Sequence, residues 1–416
     1  MNRLFLLAIV MFATLIALPL QALENAQVLP KGVRRVNIKT VQLDLGTEYD
    51  ANSNVVPLAA PLQKKITFED VLKTKQGLDD TLLRAFLREN GLPTDQELGE
   101  LTADLRGRVR VYAPVIAYGL TPRITIAVAM PYYSARTETQ VGYRANDDNA
   151  QHFINLLADP KYNKVASARE AYENFSNGVA GLEAKLRDNG YEELGAWEKH
   201  GLGDMQFAVK SKLYGEDGSR VHLANLSGFV APTGLVDSPD ILTDISFGDG
   251  SWDFFSGLMC DQQLGMGITL NQYAKLTYQA PARRVLRMKT ADESLAVERR
   301  SIAYKLGNKL DAGLSVQFAH DLGIELGLGY IYARKGADRY DAPSEEAALE
   351  LAKDSNLQSS SIEVKMGYSS VPAFRRKEMP VPFSVGLQYQ QLVEALVANR
   401  NVPNTKMLTL DVNLYF

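Results

Sequence analysis

The chain closes with Lys406-Met407-Leu408-Thr409-Leu410-Asp411-Val412-Asn413-Leu414-Tyr415-Phe416. Leu408, Leu410, Val412, Leu414 and Phe416 fall on every second position, so an extended chain here has one apolar face and one polar face. A half-buried strand at an open sheet edge offers its unpaired N–H and C=O groups to any other strand, and a chain that stops on an aromatic in mid-strand has nothing left to blunt that edge. Pairing the last strand with the first closes the sheet and removes the edge. With the apolar face toward lipid and the polar face toward a lumen, this is the alternation of a membrane-spanning β-strand. The competing arrangement is the last strand of a soluble sandwich, apolar face inward.

At 416 residues the chain is long enough for two or three soluble domains, or for one large barrel with long loops. The N-terminus separates the two. Arg3, the apolar run Leu4 to Leu20, and Gln21-Ala22 before Glu24 have the order of a charged n-region, an h-region and a small residue at a cleavage point. Residues 1–22 are therefore expected to be a signal peptide, leaving 23–416 as the mature chain. No other run approaches the roughly twenty apolar residues a spanning helix needs. Cys260 is the only cysteine, which excludes an intrachain disulfide framework and a cysteine metal cluster, and none stands at the cleavage point to carry a lipid. The net charge of −4 and the lack of a long basic block give no support to nucleic-acid binding. An exported chain without a second helical span that ends in an amphipathic strand is expected in an outer membrane.

Period two recurs along the chain. The first strand is expected over Val33–Tyr49, where Val36 and Ile38 are followed by Val41, Leu43 and Leu45 after a change of phase that a bulge would absorb. Val109, Val111, Ala113, Val115 and Ala117 share one face of a second strand. Gly119 to Pro122 turn it into a third, with Ile124, Ile126, Val128 and Met130. Gly203–Tyr214, Arg220–Val230, Gly250–Gln263, Ile268–Tyr278, Leu314–Phe318, Ile324–Tyr332, Ile362–Tyr368, Phe383–Tyr389 and Leu408–Phe416 complete a set of twelve. The number is even, and the connections sort by length. Those near 119–122, 214–219, 263–267, 320–323 and 370–380 are short and fall on the periplasmic side; those on the other side are mostly long. Ser301–Lys309 would make the count odd and is placed above the membrane. The fold class expected is all-β, a closed antiparallel transmembrane β-barrel of about twelve strands with helical extracellular loops.

Two outer insertions, about 54–104 and 146–200, read as helical. In the first, Thr67 and Asp70 stand at capping-box spacing before Val71, Leu72, Leu78, Leu82, Leu83, Phe86 and Leu87, and Asn90-Gly91 ends the run. The second holds Phe153, Ile154, Leu156 and Leu157 and a helix from Val165 to about Asp188. Their apolar faces suit a cap over the mouth or a partial plug.

Four motifs then occur in order: Tyr118-Gly119-Leu120-Thr121-Pro122-Arg123 leading to Pro131-Tyr132; Gly201-Leu202-Gly203-Asp204; Pro232-Thr233-Gly234; and Gly248-Asp249-Gly250-Ser251-Trp252-Asp253. Together they resemble the family of outer-membrane proteins named for the meta-cleavage pathway of phenol degradation, from about Arg106 to the end. The resemblance implies a porin-like transporter of hydrophobic or aromatic compounds in a Gram-negative outer membrane. Likewise the last residues resemble the terminal assembly signal of such barrels, carried here by Leu408, Leu410, Val412, Leu414 and Phe416, with barrel-assembly machinery and outer-membrane lipid as the implied partners. Read physically, the motif glycines serve turns and bulges at the rims. Trp252, Tyr132, Tyr133, Tyr278, Tyr332 and Tyr415 are expected in an aromatic girdle.

Positions between the apolar ones are expected to face the lumen: Arg108, Arg110, Tyr112, Arg123, Lys210, Lys212, Lys275, Asp311, Glu325, Glu363, Lys365 and Asp411, with Asp253 and Asp261. Both signs occur, so strong ion selectivity does not follow; these charges either tune passage or pair and brace the wall. Gly323, Gly327 and Gly329 leave space on the ninth strand. Catalysis finds little to work with. His152, His200 and His320 fall in loops or turns, only His222 is on a strand, and no serine motif accompanies it. No histidine pair has metal-ligand spacing, and no glycine-rich phosphate loop joins a strand to a helix. The reading is passive passage of small hydrophobic or aromatic solutes without a cofactor. The alternatives are a non-conducting surface-binding or structural barrel and, further off, a membrane-embedded hydrolase.

Overall fold

The structure, a computed structural model, describes residues 25–72, 78–158, 178–216, 218–289 and 295–416. The expected signal peptide and residues 165–177 of the second expected helix lie outside the described residues. Antiparallel strands close into a barrel of twelve. They are β1 (Arg34–Leu45), β2 (Glu97–Thr121), β3 (Ile124–Ala129 continued by Tyr132–Ala145), β4 (Ala196–Leu202 continued by Met205–Tyr214), β5 (Val221–Ala231) and β6 (Asp253–Gly265). The other half is β7 (Ile268–Gln279), β8 (Lys309–Ala319), β9 (Ile324–Lys335), β10 (Leu357–Ser369), β11 (Phe383–Leu392) and β12 (Lys406–Tyr415).

Closure runs through the terminal strand. Register continues from Arg35 opposite Tyr415 to Leu43 opposite Met407, and the backbones of Arg34 and Phe416 exchange hydrogen bonds of 2.9 and 3.0 Å. The final aromatic is thus tied to the first strand, and no edge is left at the chain end. Along β12, Leu410 is 44% exposed and Thr409 3%, because the apolar side looks out of the barrel and the polar side into it. The same outward belt continues through Leu314, Leu328, Val364 and Leu387 on neighbouring strands. Five short turns lie at one end. The other end carries the helices α1 (Phe68–Leu72), α2 (Leu78–Glu89), α3 (Asp147–Ala158) and α4 (Gly178–Asp188), and two small sheets. Ser301–Lys305 belongs to one of these, formed by Ala282–Met288, Glu298–Lys305 and Arg339–Asp341.

Two expectations about β1 and β2 change. β1 contains no bulge: its register against both neighbours is unbroken, Ile38 points out, and Val41, Leu43 and Leu45 point in. On β2 the set Val109 to Ala117 faces inward, with Val115 fully buried while Ile116 is 52% exposed. Here the barrel is not hollow, so its inner face is a packed core, and the outer face turns polar where the wall rises past Tyr112. Tyr133 and Tyr415 leave the expected girdle for the same alternation. Tyr133 is buried beside the inward Ala135, and Tyr415 sits between the outward Leu414 and Phe416. Tyr132, Trp252 and Tyr278 are exposed on the outer face.

Candidate functional site: the bore and what fills it

The chain enters the barrel before it forms it. Residues 25–30 run inside the wall at the short-turn end. There Ala26 N–H donates to Asp261 Oδ2 (2.9 Å), Leu29 N–H to Thr125 Oγ1 (2.7 Å), and Lys210 Nζ to the Asn25 carbonyl (2.6 Å). Ala26 is 1% exposed among Ala117, Ala127, Ala129, Ala208 and Ala224, small residues that leave room for a second chain within the wall. Gly119 completes the seat: it exchanges backbone bonds with Gly32 and Val33, and a Cβ there would run into the Pro30 carbonyl.

The second filling is the connection from β5 to β6, residues 232–252, which folds inward. Ile245 and Phe247 are buried against Val41, Leu43, Leu45, Val109, Val111, Ala113 and Ala135, and the Phe247 ring stacks on Tyr133 with centroids 5.2 Å apart. Thr137 Oγ1 donates to the Thr243 carbonyl (2.8 Å). Asp204, in the break between the two segments of β4, accepts from Gly234 N–H (2.8 Å) and Asp249 N–H (3.2 Å). Side chains at Gly203, Gly234 or Gly248 would strike Tyr133, Phe247 or Asp204. The last three motifs therefore meet in space, and the first reaches them through its Pro131 carbonyl, which accepts from Gly203 N–H (2.8 Å), while its hairpin Tyr118–Arg123 stays at the short-turn end. Beyond turning the chain at the rims, their glycines are seats for the two fillings, which sequence separation concealed.

Above this loop sits α4. Leu186 and Tyr191 pack on Leu242 of the loop and on Leu295, and Arg287 clamps the helix end. The Arg287 guanidinium lies 3.9 Å from the Tyr191 ring centre and donates to the Asn189 and Gly190 carbonyls, each at 2.8 Å. These contacts dock the second helical insertion onto the inward loop. Asp244 on that loop accepts from Ser238 N–H (2.8 Å). Burial, with Asp237 beside it, pushes Asp244 up to about 7 against the pull of the Ser238 N–H, Lys199 and Arg284.

What remains open lies on the other side of the bore. A chamber of about 180 Å³, open to solvent, is lined by Leu43, Leu226, Phe255, Met259, Leu357, Leu392 and Met407. Ion pairs border it: Lys275 with Asp311 (3.2 Å) and Lys309 with Asp253 (3.5 Å). Toward the short-turn end the inner wall becomes polar. Glu363 pairs with Lys365 (2.7 Å) and accepts from Gln388, and Asn37 bridges Asp411 (2.9 Å) and Asn413 (3.1 Å). Gly327 and Gly329, on the same face as Glu325, add no side chains to that stretch.

The candidate lumen residues divide. Lys210, Lys212, Lys275, Asp311, Glu325, Glu363, Lys365 and Asp411 alternate with outward apolar neighbours and stand on the inner side. Asp253 and Asp261 are buried there as well. Arg108, Arg110 and Tyr112 are on the outer face instead, because the Val and Ala residues between them take the inner one. Arg123 lies in the turn after β2, exposed and paired with Glu216 of the next turn. His222 is buried on β5, and among the described residues no group of three His, Cys, Asp or Glu is placed to hold a metal.

No family model and no curated protein matches the sequence. Among solved structures, the chain is similar to an outer-membrane channel from Pseudomonas putida F1, at 13% identity over 94% of this chain and 98% of that one, with a TM-score of 0.52. A FadL homologue from Pseudomonas aeruginosa aligns at 10% identity over 96% and 94%, with a TM-score of 0.36. The toluene transporter TodX of Pseudomonas putida aligns at 9% identity over 97% and 92%, with a TM-score of 0.32. The two lower scores carry no weight. The first establishes a shared fold, that of an outer-membrane barrel.

Proposed function

We propose that this barrel is a passive outer-membrane channel for small hydrophobic or aromatic molecules that also carry a polar group. The observation that supports this is the graded bore. An apolar chamber at the loop end is bordered by ion pairs and continues into a glycine-spaced, hydrogen-bonding wall, so a solute with one face of each kind is matched at every level. The channel fold in Pseudomonas putida F1 supports the same reading. In this reading Lys275, Asp311, Glu363 and Lys365 meet the solute and tune its passage, residues 1–22 are removed on export, and the Leu408–Phe416 pattern is read by barrel-assembly machinery. Movement follows the concentration gradient and needs no cofactor.

Planar-bilayer conductance and liposome swelling with phenol, benzoate and arabinose test it. Discrete conductance with swelling fastest in phenol is the expected outcome. A second reading, a closed structural barrel, is favoured by the two fillings that occupy one side of the lumen. A wall silent in wild type and after removal of residues 54–100 or 147–199 ends the channel reading in favour of that one.

A further inference from the structure

The lipid-facing side of the barrel is not uniform around its circumference. On β8 to β12 the outward positions within the belt are apolar or aromatic, as at Leu314, Leu328, Val364, Leu387 and Leu410. On β4 to β7 the alternation that turns Lys210, Leu226, Asp261 and Lys275 inward turns Ser211, Asn225, Ser227, Ser256 and Gln272 outward. Phe229, Phe254 and Tyr278 lie on one rung and mark the top of the belt here, with Val221, Leu264 and Ile268 at its foot. Each two-residue step descends about 5 Å along the membrane normal for a strand rising about 3.4 Å per residue at a tilt of about 40°. Ser227 and Ser256, directly opposite each other, are one step below the top of their strands, and Asn225 is two. Gln272, opposite Cys260, is three steps below Tyr278 and two above Ile268, so on a band about 25 Å tall its amide reaches neither interface.

Part of this polar surface satisfies itself. Ser227 Oγ donates to Asn225 Oδ1 (2.7 Å), Asn225 Nδ2 donates to Ser256 Oγ (3.1 Å) and to the Gly257 carbonyl (3.0 Å), and the two serine hydroxyls lie 3.0 Å apart. Lower down the capacity is unspent. Among the described residues the side chains of Ser211 and Gln272 make no hydrogen bond, and that of Gln262, one step above the foot of β6, reaches only Cys260 Sγ, at 3.9 Å. Acyl chains offer an amide no partner, so an open one at this depth calls for a protein surface. A second copy of this chain supplies a matching one. All copies enter the membrane in the same direction, so a two-fold axis along the membrane normal sets each residue against the same depth of its mate. Amides and hydroxyls both donate and accept, which makes the row complementary to itself. The serines, Cys260 and Ala274 are small enough for two walls to approach closely.

We propose that the outer face of β4 to β7, centred on Gln272 and the Asn225–Ser227–Ser256 cluster, is a two-fold interface with a second copy of this chain inside the membrane. The face is on the outer wall, so it stands or falls independently of solute passage through the bore. Sedimentation equilibrium of the purified protein in a density-matched mild detergent, with native mass spectrometry from lipid nanodiscs, reads the number of chains and what is bound to them. Two chains are expected. Gln272→Leu is expected to weaken their association at least five-fold while the barrel stays folded by its heat-shifted electrophoretic mobility, because leucine suits the lipid face and the change breaks no hydrogen bond. Asn225→Leu, which opens the serine cluster, is expected to weaken it by as much; should that variant not fold, Gln272→Leu decides alone. Leu387→Ala, on β11 at the far wall, is expected to leave association unchanged. A single chain, with or without a retained lipid or a different protein, a ring of three or more, or a loss smaller than five-fold in Gln272→Leu overturns the proposal.

Discussion

Lys275 and Asp311 are joined across β7 and β8 inside the bore, each partly open to the chamber. Replacing Lys275 with Ala leaves Asp311 uncompensated at the chamber wall and is expected to move the reversal potential in a salt gradient toward cations; Asp311→Ala should move it toward anions. Gly119 tests the other end. Gly119→Val places a branched side chain where the Pro30 carbonyl lies, so residues 25–30 are expected to leave their seat and mean conductance to rise several-fold, with the barrel still folded by its heat-shifted electrophoretic mobility. Unchanged conductance would mean that this segment does not obstruct passage. Gly119 was visible in the sequence as a turn residue; its second role was not, because Pro30 meets it only through the closure of β1 onto β2.

The inward loop 232–252 is the element on which pH acts. Asp244 has a folded-state value of about 7, above the ordinary carboxylate range, so the folded loop holds the proton more tightly than a released loop does. The stabilisation is fully present below the ordinary carboxylate value of about 4 and is lost as pH rises to about 7, an effect of up to about 4 kcal/mol. A spin label at the exposed Val236 is expected to gain mobility between pH 5 and 8, and Asp244→Asn to flatten that change. Phe247→Ala removes the ring stacked on Tyr133 and is expected to cost the docked loop about 3–5 kcal/mol, seen as faster hydrogen exchange at Thr243 and Phe247. The helices were partly legible, since Asp70 does accept from Thr67 N–H (3.2 Å) at the start of α1 and Asn189-Gly190 does end α4, the helix docked on this loop. The loop itself carried no period of either kind, and its apolar Ile245 and Phe247 gave no sign of which wall they would meet.

For the whole molecule, the lipid outside and the filled bore inside set opposite tolerances on adjacent residues. Leu410→Arg puts a charge on the belt and is expected to destabilise the barrel by about 2–4 kcal/mol in denaturant titrations from lipid vesicles. Asp411→Ala, one residue on, breaks the Asn37 bridge but faces polar surroundings and is expected to cost about 1 kcal/mol. Equal costs at the two positions would mean that the inside and outside of the wall are not chemically distinct.

The strand count, the closure through Phe416 and the sorting of short turns from long loops were determined by sequence alone, because period two and connection length are local and each outward strand meets the same uniform solvent, lipid. Which face of β1 and β2 turns inward was decided only by tertiary structure. Both faces of these strands are apolar somewhere along their length, so alternation cannot choose between lipid outside and a packed filling inside. The choice was made by two segments that are distant in sequence and carry no regular pattern, residues 25–30 and 232–252, once the closed wall had brought Val41, Val109 and Tyr133 together around them.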